Sequence, residues 1–297
     1  MGDTSKRELR YRVGEHMELV ADVWGDEGAP PVILMHGGGQ TRHAWGGTAE
    51  VLARNGFHAL SVDLRGHGDS QWHHEGDYAI ESYVADLHAI IDTLREPPAL
   101  VGASLGGMVS MVSQGELRPG TARAVVLVDI TPRVEREGIQ RIVEFMTSNP
   151  DGYETLEDVA QAVADYLPHR RPPKSLTGLR KNLRRGDDGR YRWHWDPAFL
   201  QQAERRSKTG GNPNRLSDAA ARLTLPTLLV RGRMSDIVSE ETAREFRELV
   251  PHAEYVDVAD AAHMVAGDQN DVFCDAVVDF LKRTIVTSRS SAPQDPS

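Results

Sequence analysis

The stretch Leu100–Met111, LVGASLGGMVSM, decides how the chain is read. An apolar run ends in Gly102-Ala103-Ser104-Leu105-Gly106, and apolar residues then resume at helical spacing. This is G-x-S-x-G set after a strand and before a helix, the context in which that motif carries chemistry. A sharp bend there lifts the serine hydroxyl above the C-terminal edge of a sheet. Glycines on both sides let neighbouring backbone come close, and the helix behind offers unpaired N–H groups and partial positive charge. Ser104 is therefore a candidate nucleophile, and the Leu105 N–H a candidate oxyanion donor. The same residues also describe a plain strand-to-helix turn, so the rest of the chain has to decide.

Outward from that stretch, strand and helix signals alternate. Glu8 to Val13 and Met17 to Trp24 alternate polar and apolar residues around Gly14, which predicts an antiparallel hairpin. Short continuous apolar runs, suited to buried parallel strands, follow at Pro31–Met35, Ala59–Val62, Ala99–Val101, Ala124–Val128, Thr227–Val230 and Tyr255–Val258. Helix-period segments lie between them, at Trp45–Arg54, Ile80–Leu94, Leu105–Gln114, Glu240–Leu249 and Val272–Leu281. Alternation of this kind predicts an α/β fold, a mostly parallel sheet with helices on both faces. From Arg133 to about Arg215 no comparable strand signal occurs. That region reads as helices, Val134–Met146, Leu156–Leu167 and Ser175–Leu183, inserted between two strands of the sheet. The expected organisation is a core of residues 1–132 and 216–286, a helical cap over 133–215, and a polar, disordered tail over 287–297.

A serine hydroxyl is a weak nucleophile and needs a base oriented by a third group. Asp236, in LLVRGRMSDIVSEE, follows one apolar strand, and His263, in VDVADAAHMVAG, follows the last. The order Ser104, Asp236, His263 is that of a Ser-Asp-His triad on a parallel α/β sheet. Each residue lies in a loop at a strand's C-terminal end, where ligands bind in open sheets. Singly, Asp236 also reads as a helix cap and His263 as an exposed histidine; together they read as a triad. Asp129, which ends the strand after the nucleophile helix, is the alternative acid. A second oxyanion donor is expected in His36-Gly37-Gly38-Gly39, with the Gly38 N–H favoured and Gly39 as the other candidate.

These residues resemble the α/β-hydrolase superfamily, over about Arg7 to Leu281. DLRGHGDS, Asp63–Ser70, resembles the family's turn after the second parallel strand and reads as structural. GRMSDIV and AAHMVAGD resemble its acid and histidine loops. The resemblance implies a serine-nucleophile hydrolase with a central cap. It excludes the carboxylate-nucleophile mechanisms of haloalkane dehalogenases and epoxide hydrolases, because position 104 is serine. Hormone-sensitive-lipase-like esterases also carry HGGG, but with Asp and Ala around the serine and an N-terminal cap; here Ala103 and Leu105 flank it. Carbon–carbon hydrolases usually carry Trp after the catalytic histidine, where this chain has Met264.

Composition bounds the rest. The chain has 297 residues and a net charge of −10, which disfavours a nucleic-acid partner. No apolar run approaches the ~20 residues of a membrane helix. The lone cysteine, Cys274, forms no internal disulfide and suits a reducing, cytoplasmic setting. The expected reaction is hydrolysis of an ester, thioester or lactone of a small molecule, without metal or organic cofactor. Carbon–carbon hydrolysis, cofactor-free oxygenase or perhydrolase chemistry, and a ligand receptor retaining the triad are the alternatives. In the cap, nine Lys/Arg between Arg170 and Arg192 face Asp187 and Asp188, a solvated face or an anion site. If RYRWHWDP is extended, Trp193 and Trp195 fall on one side, either lining the substrate pocket or anchoring the cap.

Overall fold

A computed structural model of the chain describes residues 5–15, 17–166, 176–201, 212–259 and 271–286. The predicted hairpin forms as β1 (Arg7–Val13) and β2 (Met17–Trp24), paired antiparallel. The apolar runs become β3 (Pro31–Met35), β4 (His58–Val62), β5 (Ala99–Ala103), β6 (Ala124–Val128), β9 (Thr227–Gly232) and β10 (Glu254–Val258). They join one eight-stranded sheet in the order β1-β2-β4-β3-β5-β6-β9-β10. From β4 across to β10 every neighbouring pair is parallel, and β2 runs against β4.

The period-two geometry of these strands divides the core in two. Ile33, Met35, Leu60, Leu100, Val125, Leu127 and Leu229 pack on one face, with apolar residues of α2 (Ile80–Ile91), α3 (Leu105–Val112), α6 (Arg215–Ala221) and α7 (Glu240–Leu249). Val32, Leu34, Val101, Val126, Val128, Leu228 and Val230 pack on the other, with α1 (Gly46–Arg54) and α8 (Asp271–Leu281). Both faces being covered explains why β3 and β6 read as unbroken apolar runs: each of their residues is buried. α2 stops at Ile91, short of the expected Leu94. α3 stops at Val112, and a π-helical turn over Ser113–Leu117 follows it.

Between β6 and β9 the chain leaves the sheet. It forms α4 (Arg136–Thr147), α5 (Leu156–Tyr166) and a 3₁₀ turn over Leu176–Asn182. It then forms two short strands absent from the all-helical expectation, β7 (Leu183–Arg185) and β8 (Tyr191–Trp193), paired antiparallel. Their connection explains them. Gly186 N donates to Arg190 O at 2.9 Å, and Gly189 turns the chain at φ 80°. Three-residue strands of the composition LRR and YRW leave no apolar signature in the sequence. The expected helix ends at Leu167 and Ser175, the tract's Arg170 and Arg171, and the tail over 287–297 lie outside the described residues.

Candidate active site

β5 ends at Ala103 and α3 begins at Leu105, so a single residue makes the bend. That residue, Ser104, has φ 44° and ψ −107°, outside the usual regions for a side chain-bearing residue. Such a conformation costs about 1–3 kcal/mol and persists only where the surroundings enforce it. Here they do. A Cβ on Gly102 would strike the Gly106 backbone, and one on Gly106 would lie 2.5 Å from the Met35 carbonyl oxygen. Gly106 N donates to His36 O at 3.2 Å, and Met108 N to Ser104 O at 2.9 Å. The bend is thus clamped between β3's exit and the first turn of α3. Ser104 is the half-exposed residue in an otherwise buried run from Ala99 to Gly107.

The glycine loop lies against it. A Cβ on Gly37 would be 3.3 Å from the Ser104 Cβ. Gln40 N donates to Gly37 O at 3.1 Å, and Gly37 N to Gln40 Oε1 at 3.0 Å, closing a turn over 37–40. The N–H groups of Gly38 and Gly39 donate no hydrogen bond among the described residues. Arg42 fixes the end of the loop. Its buried guanidinium ion-pairs with Asp63, with Asp69 at 2.7 Å and with Asp22 at 3.1 Å, and its backbone N–H donates to Asp63 Oδ1 at 2.6 Å. His36 accepts from Leu64 N at 3.0 Å through Nε2, so its Nδ1–H donates to Gly37 O at 2.8 Å. Burial pushes His36 down to about 4 and the neighbouring His67 to about 3, so both rings are neutral near pH 7.

The two candidate acids occupy different surroundings. Asp129 is fully buried at the end of β6, at φ 50°. Its Oδ1 accepts from Gly232 N at 3.2 Å and its Oδ2 from Ser235 Oγ at 2.6 Å. Its strand, β6, is the neighbour of β5, which delivers Ser104. Asp236 is exposed instead, and its Oδ2 accepts from Arg141 of α4 at 2.6 Å. His263 lies outside the described residues.

Residues after β6 cover the glycine loop. Phe199 would meet a Cβ on Gly38 at 3.3 Å; Met146 and Trp195 would meet one on Gly39 at 3.0 and 3.5 Å. Trp193 and Trp195 stack face to face, with centroids 5.1 Å apart and planes 9° from parallel. Only Trp195 reaches the glycine loop; Trp193 packs behind it against Phe145 and Tyr153. The DLRGHGDS loop is where this segment is fastened. Gly68 N donates to His194 Nδ1 at 2.7 Å, Asp196 N to Gly66 O at 2.8 Å, and Arg184 to Gly68 O at 2.7 Å. Sequence reasoning passed over Met146, His194 and Phe199, which sit in no motif.

Comparison with known proteins agrees with this geometry. Esterase Rv0045c of Mycobacterium tuberculosis is 31% identical over 258 residues, 83% of this chain and 80% of that protein. The 2-(acetamidomethylene)succinate hydrolase of Mesorhizobium japonicum is 29% identical, over 86% of this chain and 90% of its own. The solved structure of E-2-(acetamidomethylene)succinate hydrolase superposes with a TM-score of 0.78 at 26% identity, covering 94% of this chain and 100% of the other. The alpha/beta hydrolase fold family matches residues 30–268, and with the elbow at Ser104 already in view the chain belongs to that family, as a hydrolase.

Proposed function

We propose that this hydrolase cleaves a carboxylic ester, thioester or lactone by acyl transfer through Ser104, with His263 as general base and Asp129 as the acid that orients it. The observation that carries the reading is the backbone of Ser104, held at φ 44° at the head of α3 with a glycine loop packed on it. Strain stored at one hydroxyl-bearing residue, above a helix N-terminus, suits nucleophilic attack. Ser104 Oγ attacks the substrate carbonyl while His263 takes its proton. The oxyanion is held by the N–H groups of Leu105 and Gly38, the latter unengaged among the described residues. His263 then protonates the leaving group, and the acyl-enzyme forms. Water, deprotonated by His263, attacks it, and collapse releases the acid and regenerates Ser104.

Sequence spacing favoured Asp236 as the acid; burial and bonding favour Asp129. An orienting carboxylate works best when held and desolvated, as Asp129 is by Gly232 and Ser235. Asp236 is half open to solvent and paired with Arg141. His263 enters the proposal from its sequence position alone.

A fluorophosphonate probe and a p-nitrophenyl ester panel from acetate to palmitate test the reading. The name of one relative, 2-(acetamidomethylene)succinate hydrolase, adds an ester bearing a free carboxylate, a hemisuccinate, to that panel. Ser104→Ala is expected to fold and to lose several orders of magnitude in turnover. A probe adduct mapped by mass spectrometry to another serine would remove Ser104 from the chemistry.

A further inference from the structure

The turn that faces Ser104 is gripped from the far side by one imidazole. His194 follows β8 and is only 2% exposed. Its Nδ1 lies 2.7 Å from Gly68 N, which can only donate, so Nδ1 is an acceptor. In a neutral ring the proton is then on Nε2. Nε2 lies 3.3 Å from the Gly39 carbonyl oxygen, so Nε2–H donates to it. Burial holds His194 well below the usual histidine range, which keeps the one protonation state that both accepts from Gly68 and donates to Gly39.

The main chain that carries the ring is held on both sides. Trp72 Nε1 donates to His194 O at 3.1 Å, and His194 N donates to Asn182 O at 3.2 Å. Asn182 Oδ1 in turn accepts from Thr41 Oγ1 at 3.0 Å, just beyond the glycine turn. Gly39 itself sits at φ 77°, with Met146 and Trp195 packed where a side chain would be. Its carbonyl is a point at which the turn over 37–40 is tied by a hydrogen bond to the residues between β6 and β9. The planes of the Gly37–Gly38 and Gly38–Gly39 peptides, which aim the two N–H groups that donate to nothing among the described residues, follow from how that turn is held.

We propose that His194 is a positioning residue for the oxyanion hole, linking the aim of its glycine N–H donors to the seating of the segment that covers the site. The inference rests on Ser104 being an acyl-transfer nucleophile. A misplacement of about 1 Å at such a site is enough to cost on the order of 100-fold in rate, so a long, single hydrogen bond at Gly39 has leverage.

Two substitutions separate positioning from mere support. In H194N the side-chain oxygen stands in for Nδ1 and keeps the Gly68 bond, while the donor to Gly39 is gone. In H194Q the amide nitrogen stands in for Nε2 and keeps the Gly39 bond. For p-nitrophenyl acetate, H194N is expected to lose about tenfold or more in kcat with KM within about twofold. Its rate of fluorophosphonate labelling at Ser104 falls in parallel, because the phosphoryl oxygen uses the same donors. H194Q recovers most of both. Melting curves accompany each variant, and H194M, similar in bulk and without the donor, replaces H194N if the latter does not fold. Wild-type kcat in folded H194N or H194M overturns the inference. So does equal damage in H194Q and H194N that tracks melting temperature. A wild-type protein inert to both ester and probe fails the reading of Ser104 itself, a result distinct from either.

Discussion

Ser104 and Asp129 are the two non-glycine residues with positive φ among the described residues, at 44° and 50°, and both terminate neighbouring strands of the sheet. Strain at two adjacent strand ends, one bearing a hydroxyl and the other a carboxylate, is the residue-scale support for the proposed triad. It also makes the acid assignment testable. Asp129→Asn preserves shape and the bond from Gly232, and is expected to cost on the order of 10⁴ in kcat through a misoriented histidine tautomer. Asp236→Asn removes an exposed, solvent-screened ion pair with Arg141, and is expected to leave kcat within a few-fold. Steady-state kinetics on both variants with one ester decides; the reverse order of losses would return the acid to Asp236. Sequence order and loop position point to Asp236, but they carry no information on burial. Both aspartates follow apolar strands, and what separates them is burial and a bond from Ser235, which no spacing encodes.

At the scale of elements, legibility followed the source of the signal. The Pro31–Met35 strand and the Glu240–Leu249 helix are read to the residue. The strand is buried on both faces. The helix is amphipathic and opens on Ser239, whose side chain accepts from Thr242 N. The ribbon of β7 and β8 was missed because its strands are three residues long and rich in arginine. His194 was missed because its partner Gly68 is 126 residues away, a contact that only the folded chain creates. The tryptophans were seen, but their unequal placement was not. Trp195 abuts Gly39, while Trp193 stacks behind it. Trp195→Ala is therefore expected to change the ester chain-length profile, each lost methylene-sized contact being worth roughly 1–3 kcal/mol in discrimination. Trp193→Ala is expected to lower the melting temperature with the profile intact. Matching kcat/KM profiles for both variants and wild type would take Trp195 out of the substrate pocket.

For the whole molecule, the site rests on buried neutral histidines, and this sets how stability depends on pH. His36 braces the glycine loop, His67 lies with its ring centroid 5.1 Å from that of His36, and His194 lies 5.8 Å beyond. Burial lowers all three, His36 to about 4 and His67 to about 3. In the unfolded chain each titrates near its ordinary value of about 6.5. Below that value the unfolded state binds protons that the folded state refuses, so stability is full above about pH 6.5 and falls as pH drops toward 4. Carboxylates held low, such as Asp77 and Glu254, act later, because their unfolded values lie near 4. The expected outcome is a melting temperature that is level from pH 8 to 7 and declines steadily from 6.5 to 4.5. Each such histidine contributes a slope of up to about 1.4 kcal/mol per pH unit. His67→Asn, which removes one of these groups, should shallow that decline even though it lowers the melting temperature at pH 7.5. A wild-type melting temperature unchanged between pH 7 and 5 would mean that the folded protein accepts these protons, and that the imidazoles around the glycine loop are not held neutral by burial.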